Sequence, residues 1–194
     1  MASVGRARRT GLSVTPLDLF AASTFNDEGL FALGAASSQS AEVGEVLRIA
    51  QTINARSGNP EEPGTAAFDA YYDGFSDFGN HLATLARSAA EAHPVTSRDR
   101  SMRAAMYAAQ QLFFVLGTSD GSREEHAFDL AQARWRRAAR MFDPAVESTE
   151  VASPFGPIPV HFFASPHGAG PRPTVIISEG SVGQNVETMQ FGVT

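Results

Sequence analysis

Residues 172–183 read RPTVIISEGSVG, and we expect the fold to be organised around them. A proline opens a β-branched run that ends at Ile177, and a glycine-bearing loop follows, which is the pattern of a buried strand. Such a strand delivers its loop to the carboxyl edge of a sheet, where open α/β folds place their active sites. A lone strand can neither satisfy its backbone nor bury both faces. We therefore predict that the chain is the front part of a longer protein, with more of the sheet beyond Thr194.

Before Asp143, the sequence has the periodicity of amphipathic helices. A short helix is expected directly after Thr15-Pro16, followed by a turn at Phe25–Gly29. Gly74 and Gly79 weaken the prediction that the second long helix is unbroken. Apolar side chains recur three or four residues apart in four longer predicted helices, near residues 43–53, 65–92, 97–117 and 122–142. This part is predicted to be an all-helical unit of antiparallel neighbours.

The composition changes at Val146, where proline, glycine and β-branched residues replace the helical period. Residues 150–153 and 158–163 flank a Pro-Phe-Gly-Pro turn, which predicts a β-hairpin. We therefore predict two domains, a helical unit at residues 1–145 and the start of an α/β unit at 146–194. The predicted fold class is α/β, with the helical unit followed by the first strands of an incomplete sheet.

Composition excludes several classes of partner and chemistry. The net charge of -6 argues against general affinity for nucleic acid or anionic membranes, which depends on clustered positive charge. No apolar run approaches the roughly 20 residues that span a bilayer. Pro16 and Asp18 interrupt the region in which a signal peptide would need an apolar run, so we expect a cytoplasmic protein. Because cysteine is absent, thiolate metal sites, disulfides and cysteine nucleophiles are excluded from these residues.

The order of these segments resembles one enzyme family. A helical unit, a hairpin, the run RPTVII and a glycine loop followed by Glu187 resemble α/β-hydrolases with an N-terminal helical cap. More narrowly, the chain resembles the branch that contains the 2,6-dihydropseudooxynicotine hydrolase and fungal hydrolases that shorten polyketide pyrones. SMRAAMY at residues 101–107 is similar to that branch's cap helix, and FNDE at 25–28 resembles its opening.

The resemblance implies where the catalytic groups would lie. The loop after the strand would supply an oxyanion-hole N–H, at Gly180 and Ser181. The family usually has Gly-Gly-x-Asp there, whereas this chain has Glu179 in place of a glycine and Val182 in place of the aspartate. The nucleophilic serine, the acid and the histidine would follow Thr194, and no Gly-x-Ser-x-Gly motif occurs in this chain. The resemblance implies no metal and no organic cofactor.

The predicted function is therefore that of a serine hydrolase. It would cleave an ester, or an activated carbon–carbon bond next to a ketone, in a small-molecule substrate that the cap selects. Tyr107 and Arg103 are candidate substrate-binding residues if they face the interior of the cap, although helix-surface positions fit the pattern equally well. The fragment alone would be inactive, and a homodimer is compatible with the sequence.

Other patterns have plainer interpretations, which we favour. Aromatic residues from Phe68 to Phe78 could line a substrate pocket, but helical spacing already explains them as core. Arginines from Arg134 to Arg140 could form an anion site, but the acidic residues preceding them favour a solvated helix face. No histidine has the spacing of a metal ligand on a helix. An alternative function is a helical protein–protein interaction module without catalysis, and the reading frame after Thr194 would distinguish it from the hydrolase.

Overall fold

Five α-helices and one two-stranded hairpin make up the described part of the chain. The computed structural model describes residues 17–58, 61–165, 170–178, 180 and 183–191. The helices are α1 (Asn26–Gly34), α2 (Val43–Arg56), α3 (Thr65–Ala89), α4 (Pro94–Gln110) and α5 (Arg123–Ala139), and the strands are β1 (Glu147–Val151) and β2 (Ile158–Phe162). Short 3-10 helices occupy Ser23–Phe25, Ala35–Ser38, Val115–Gly117 and Asn185–Phe191.

Helix α4 is the centre of the helical unit. It packs against both α3 and α5, and every side chain from Ala104 to Gln110 is buried. A helix that is buried on all sides lies inside a bundle, with its neighbours around it. The predictions of four helices in this region are confirmed, with ends that shift by several residues at α4.

Helix α3 is continuous, and its glycines have a packing role. A Cβ atom at Gly74 would lie 2.7 Å from Ile53 Cγ1, and one at Gly79 would lie 2.8 Å from Arg134 Nη1. Glycine costs roughly 1 kcal/mol relative to alanine inside a helix. The two glycines therefore leave room for the Ile53 side chain of α2 and for the Arg134 guanidinium of α5, and they do not interrupt α3.

The aromatic residues of α3 form the core with rings from other segments. The ring centroids of Phe25 and Tyr71 lie 4.9 Å apart, as do those of Tyr71 and Phe114. Tyr71 also lies 4.9 Å from Phe75, one helical turn further along α3. The favoured interpretation of this stripe as core is confirmed, since its rings are used in packing against each other.

The first described segment differs from the prediction. Residues 17–19 are irregular, and helix α1 begins at Asn26, where a turn was expected. Asn26 Oδ1 accepts hydrogen bonds from the backbone N–H of Leu19 at 2.8 Å and of Phe20 at 2.9 Å. Because a side chain satisfies these donors, the segment needs no helical hydrogen bonds, and both local predictions were wrong.

The predicted α/β fold class was wrong. Strands β1 and β2 pair antiparallel, with Glu147 opposite Phe162, which confirms the hairpin but makes a sheet of two strands only within the described ranges. Residues 171–178 have no regular secondary structure, and Val175 and Ile176 are 82% and 92% exposed. A β-branched run becomes a buried strand only where neighbouring strands pair with it, and the described residues provide none beside it.

The end of the described chain returns to the helical unit. The 3-10 helix at Asn185–Phe191 packs against Ala35–Ser38, α4 and α5, and Val186 and Met189 join the same buried core as Val146. The division into domains at residue 145 stays a prediction.

Among the residues that the structure describes, none of the helices combines the length and the apolar composition that a membrane-spanning helix needs.

Candidate functional site

The two candidate substrate-binding residues lie together on α4, and both contact Glu45 on α2. Arg103 Nε donates to Glu45 Oε2 at 3.0 Å, and the Tyr107 hydroxyl donates to the same oxygen at 2.9 Å. The backbone N–H of Glu42 donates to the Tyr107 hydroxyl at 3.3 Å. The side chains of Arg103 and Glu45 are only 19% and 14% exposed. This group, the Glu45 cluster, joins the start of α2 to the middle of α4.

Electrostatics keep the Tyr107 phenol neutral. Burial raises its pKa well above the usual value, and the negative charge of Glu45 raises that pKa further. A neutral phenol donates one hydrogen bond, which Glu45 already accepts, and its oxygen already accepts from Glu42. The geometry therefore explains Tyr107 and Arg103 as contacts between helices, and a role in substrate binding stays a prediction.

The predicted oxyanion loop is described only in part. Ser181 lies outside the described residues, as do Glu179 and Val182. The carbonyl oxygen of Gly180 accepts a hydrogen bond from the N–H of Gly183 at 3.3 Å, and a Cβ atom added to Gly180 would meet no heavy atom of the described residues within 4 Å. The surroundings of Gly180 are thus open, and the oxyanion donor stays a prediction.

A cleft of about 310 Å³ lies where the helical unit meets the residues that follow the hairpin. We call it the junction cleft. Its walls come from the 3-10 helix before α2, from α4, from the segment after α5 and from the end of β2, and they include Gln39, Arg98, Asp99, Met102, Phe142 and Phe163. Sequence reasoning missed it, because residues so distant along the chain meet only in the folded protein.

The junction cleft combines an apolar wall with one ion pair. Arg98 Nη2 lies 2.9 Å from Asp99 Oδ1, and the Arg98 guanidinium lies 5.5 Å from the centre of the Phe142 ring. Met102 and Phe163 add apolar surface. Small-molecule sites commonly have such mainly apolar walls with a few fixed polar groups.

A serine and a histidine meet across the hairpin. Ser148 Oγ lies 2.9 Å from His161 Nδ1, and the His161 ring packs edge-on against Trp135 at 5.6 Å. Burial lowers the pKa of His161, and the positive charge of Arg136 lowers it further. A serine beside a histidine can act as a nucleophile, but the two residues lie directly opposite each other in the strand register and do not line the junction cleft. We interpret it as a cross-strand contact.

Within the described ranges, no three His, Asp or Glu side chains come together in an arrangement that could hold a metal ion.

A second cavity, of about 360 Å³, lies between α3, α4 and α5, and we call it the arginine pocket. Arg87, Arg134 and Arg137 line it. The expectation that the arginines of α5 form a solvated face was wrong for Arg134, which is buried. Its spacing could have revealed this, since Ala131, Arg134, Trp135 and Ala138 are all buried and lie on one helical face.

Comparisons with known proteins leave the chain without an assigned relative. No protein family, curated protein or solved structure matches it. The relation to capped hydrolases stays a prediction from the sequence motifs.

Proposed function

We propose that the helical unit selects a small organic substrate for hydrolysis and that the substrate binds in the junction cleft. The observation that carries this proposal is the position of the cleft, between α4 and the residues that follow β2. In a capped hydrolase, the substrate would lie where the helical cap meets the catalytic part. The volume of about 310 Å³ suits a small ligand.

The side chains of the cleft support this role through their chemistry. Phe142, Phe163 and Met102 would cover an apolar substrate and exclude water, which strengthens polar interactions at the reacting bond. The Arg98 guanidinium, held between Asp99 and the Phe142 ring, would donate a hydrogen bond to a substrate carbonyl or ester oxygen.

The reaction would be attack by a serine hydroxyl on the carbonyl carbon of an ester, with cleavage of the ester C–O bond and departure of the alcohol, which takes up the proton lost by the serine. Water would then hydrolyse the acyl-enzyme, which releases the carboxylic acid and restores the serine hydroxyl. The backbone N–H of Ser181 would hold the oxyanion, and the attacking serine would come from polypeptide outside these 194 residues. The motif for that serine, Gly-x-Ser-x-Gly, does not occur within them.

Labelling with a fluorophosphonate tests the proposal. The protein translated from the complete reading frame is treated with the probe, and the modified serine is located by mass spectrometry. We expect one labelled serine downstream of residue 194. A folded protein that remains unlabelled would reject the hydrolase proposal.

Substitution tests the role of the cleft. We expect Arg98→Gln to lower kcat/KM for aryl esters by roughly tenfold, which corresponds to about 1.4 kcal/mol for a lost charged hydrogen bond. Arg100→Gln is the matched control, because Arg100 lies on the same helix but bonds to the Leu85 carbonyl and does not line the cleft. Equal losses in both variants would refute the role of the cleft.

The exposed apolar run favours a second candidate, the protein–protein interaction module. Val175, Ile176 and Ile177 present a contiguous apolar stretch, of the kind that marks contact with another protein surface. A second copy of the chain is the partner that we would test first. Light scattering after size exclusion should show a dimer that Ile176→Asp dissociates, and a monomer at every concentration would reject this candidate.

A further inference from the structure

The arginine pocket holds three positive charges and no negative one. Arg87 lies on α3, and Arg134 and Arg137 lie one turn apart on α5. Neither Asp nor Glu is among the residues lining the pocket, and no described carboxylate forms an ion pair with any of these arginines.

Arg134 is the most constrained of the three. It is only 8% exposed, and its two terminal nitrogens donate to the Ala104 carbonyl at 3.2 Å and to Asn80 Oδ1, both neutral acceptors. Burying a charge without an opposite charge is unfavourable. The fold nevertheless provides space for this guanidinium at Gly79, since a Cβ atom there would lie only 2.8 Å from Nη1.

The electrostatic consequences agree with this geometry. Burial lowers the pKa of Arg134 to about 10, and the nearby charge of Arg87 contributes to the decrease. The causes include no carboxylate that would raise the pKa again. The pocket therefore has a positive potential that an anion would balance.

A buried hydroxyl group in the same pocket provides independent support. Ser101 lines the pocket, is 3% exposed, and its hydroxyl has no hydrogen-bond partner in the described part of the chain. Buried hydroxyl groups are normally satisfied, so an orphan one at a cavity wall indicates a missing ligand or water.

We propose that the arginine pocket is a binding site for a small molecule with a carboxylate or phosphate group. Arg87 and Arg137, which are exposed at the rim, contact the anion directly, and Arg134 contributes a fixed charge beneath it. The aliphatic side chains of Ala83 and Leu130 suit a short apolar body attached to that group. The site shares no residue with the junction cleft, so it is independent of the proposed hydrolase function.

Titration calorimetry with inorganic phosphate and with acetate, at constant ionic strength, tests the site in the whole chain. We expect saturable binding of at least one probe, and the preferred probe identifies the anionic group. The double variant Arg87→Gln/Arg137→Gln should weaken binding at least about tenfold, as expected for the loss of charge-assisted hydrogen bonds. Both residues are exposed, so the variant should fold, and the fluorescence of buried Trp135 verifies this.

The matched control is Arg136→Gln/Arg140→Gln, which removes the same charge from α5 and its end but leaves the pocket intact. Its affinity should remain within about twofold of the wild type, a change of only a few tenths of a kcal/mol. Absence of saturable binding by the wild type would overturn the proposal. Equal losses in the two double variants, or no loss in the pocket variant, would also overturn it.

Discussion

The Glu45 cluster provides the sharpest test of whether Tyr107 and Arg103 are structural. In Glu45→Gln, the oxygen that accepts from both residues loses its charge, but the side chain keeps its size. Hydrogen bonds to charged groups contribute about 1.5–3 kcal/mol each and neutral ones about 1 kcal/mol, so each of the two bonds loses roughly 1 kcal/mol. Because the ion pair is mostly shielded from water, solvent screening reduces this only modestly. We expect the free energy of unfolding to fall by about 2 kcal/mol.

Urea unfolding measures this loss, with the single tryptophan, buried Trp135, as the fluorescence probe. With a slope near 2 kcal/mol/M, the midpoint should fall by about 1 M. Tyr107→Phe should cost about 1–2 kcal/mol, and the double variant should lose less than the sum, because both changes remove one shared bond.

Glu91→Gln is the control for the charge change, since Glu91 is exposed, and it should alter stability by less than about 0.5 kcal/mol. The structural explanation is refuted if Glu45→Gln leaves the midpoint unchanged, or if the two losses add fully. A changed substrate affinity without a change in stability would instead favour the role predicted from the sequence.

Three further outcomes follow from the structure. Gly74→Ala should lower the free energy of unfolding by about 1 kcal/mol, because the cost of overpacking against Ile53 exceeds the gain in helix propensity. Gly121→Ala is the control and should not lower it, because the space around a Cβ atom there is open. Equal urea midpoints for the two variants would contradict this prediction. His161 binds a proton near the ordinary pKa of 6.5 in the unfolded chain, but only at lower pH in the folded chain. The free energy of unfolding should therefore decrease as the pH drops below about 6.5, and it should decrease less steeply in His161→Gln. Parallel pH profiles of the two proteins would exclude this effect. Phe155→Ser should leave the free energy of unfolding within about 0.5 kcal/mol of the wild-type value, because that ring is 100% exposed; a larger loss would mean that the turn packs against another surface.

The features that the sequence predicted correctly depend on local patterns. Helix α2 has its apolar stripe, and the hairpin has a proline and glycine turn between its two strands. These signals lie within a few residues of the elements they specify. Spacing and turn chemistry are sufficient to identify such elements.

The features that were missed depend on what lies beside an element in space. The run ending at Ile177 has the composition of a strand, but strand formation needs partners that no local pattern supplies. The junction cleft joins Gln39 to Phe163, and the hydrogen bonds of Arg134 reach Asn80 on α3 and Ala104 on α4. Such contacts are tertiary, so a single sequence without related sequences does not reveal them directly.

The return of the chain to its own core has a further consequence for the hairpin. Val146 and Val186 are both buried in that core, so the hairpin and the apolar run through Ile177 are tethered at both ends. Because both ends are fixed, these residues can move only a limited distance from the helices, and they stay near the junction cleft. A protein partner bound at the apolar run would therefore be held close to the helical unit as well.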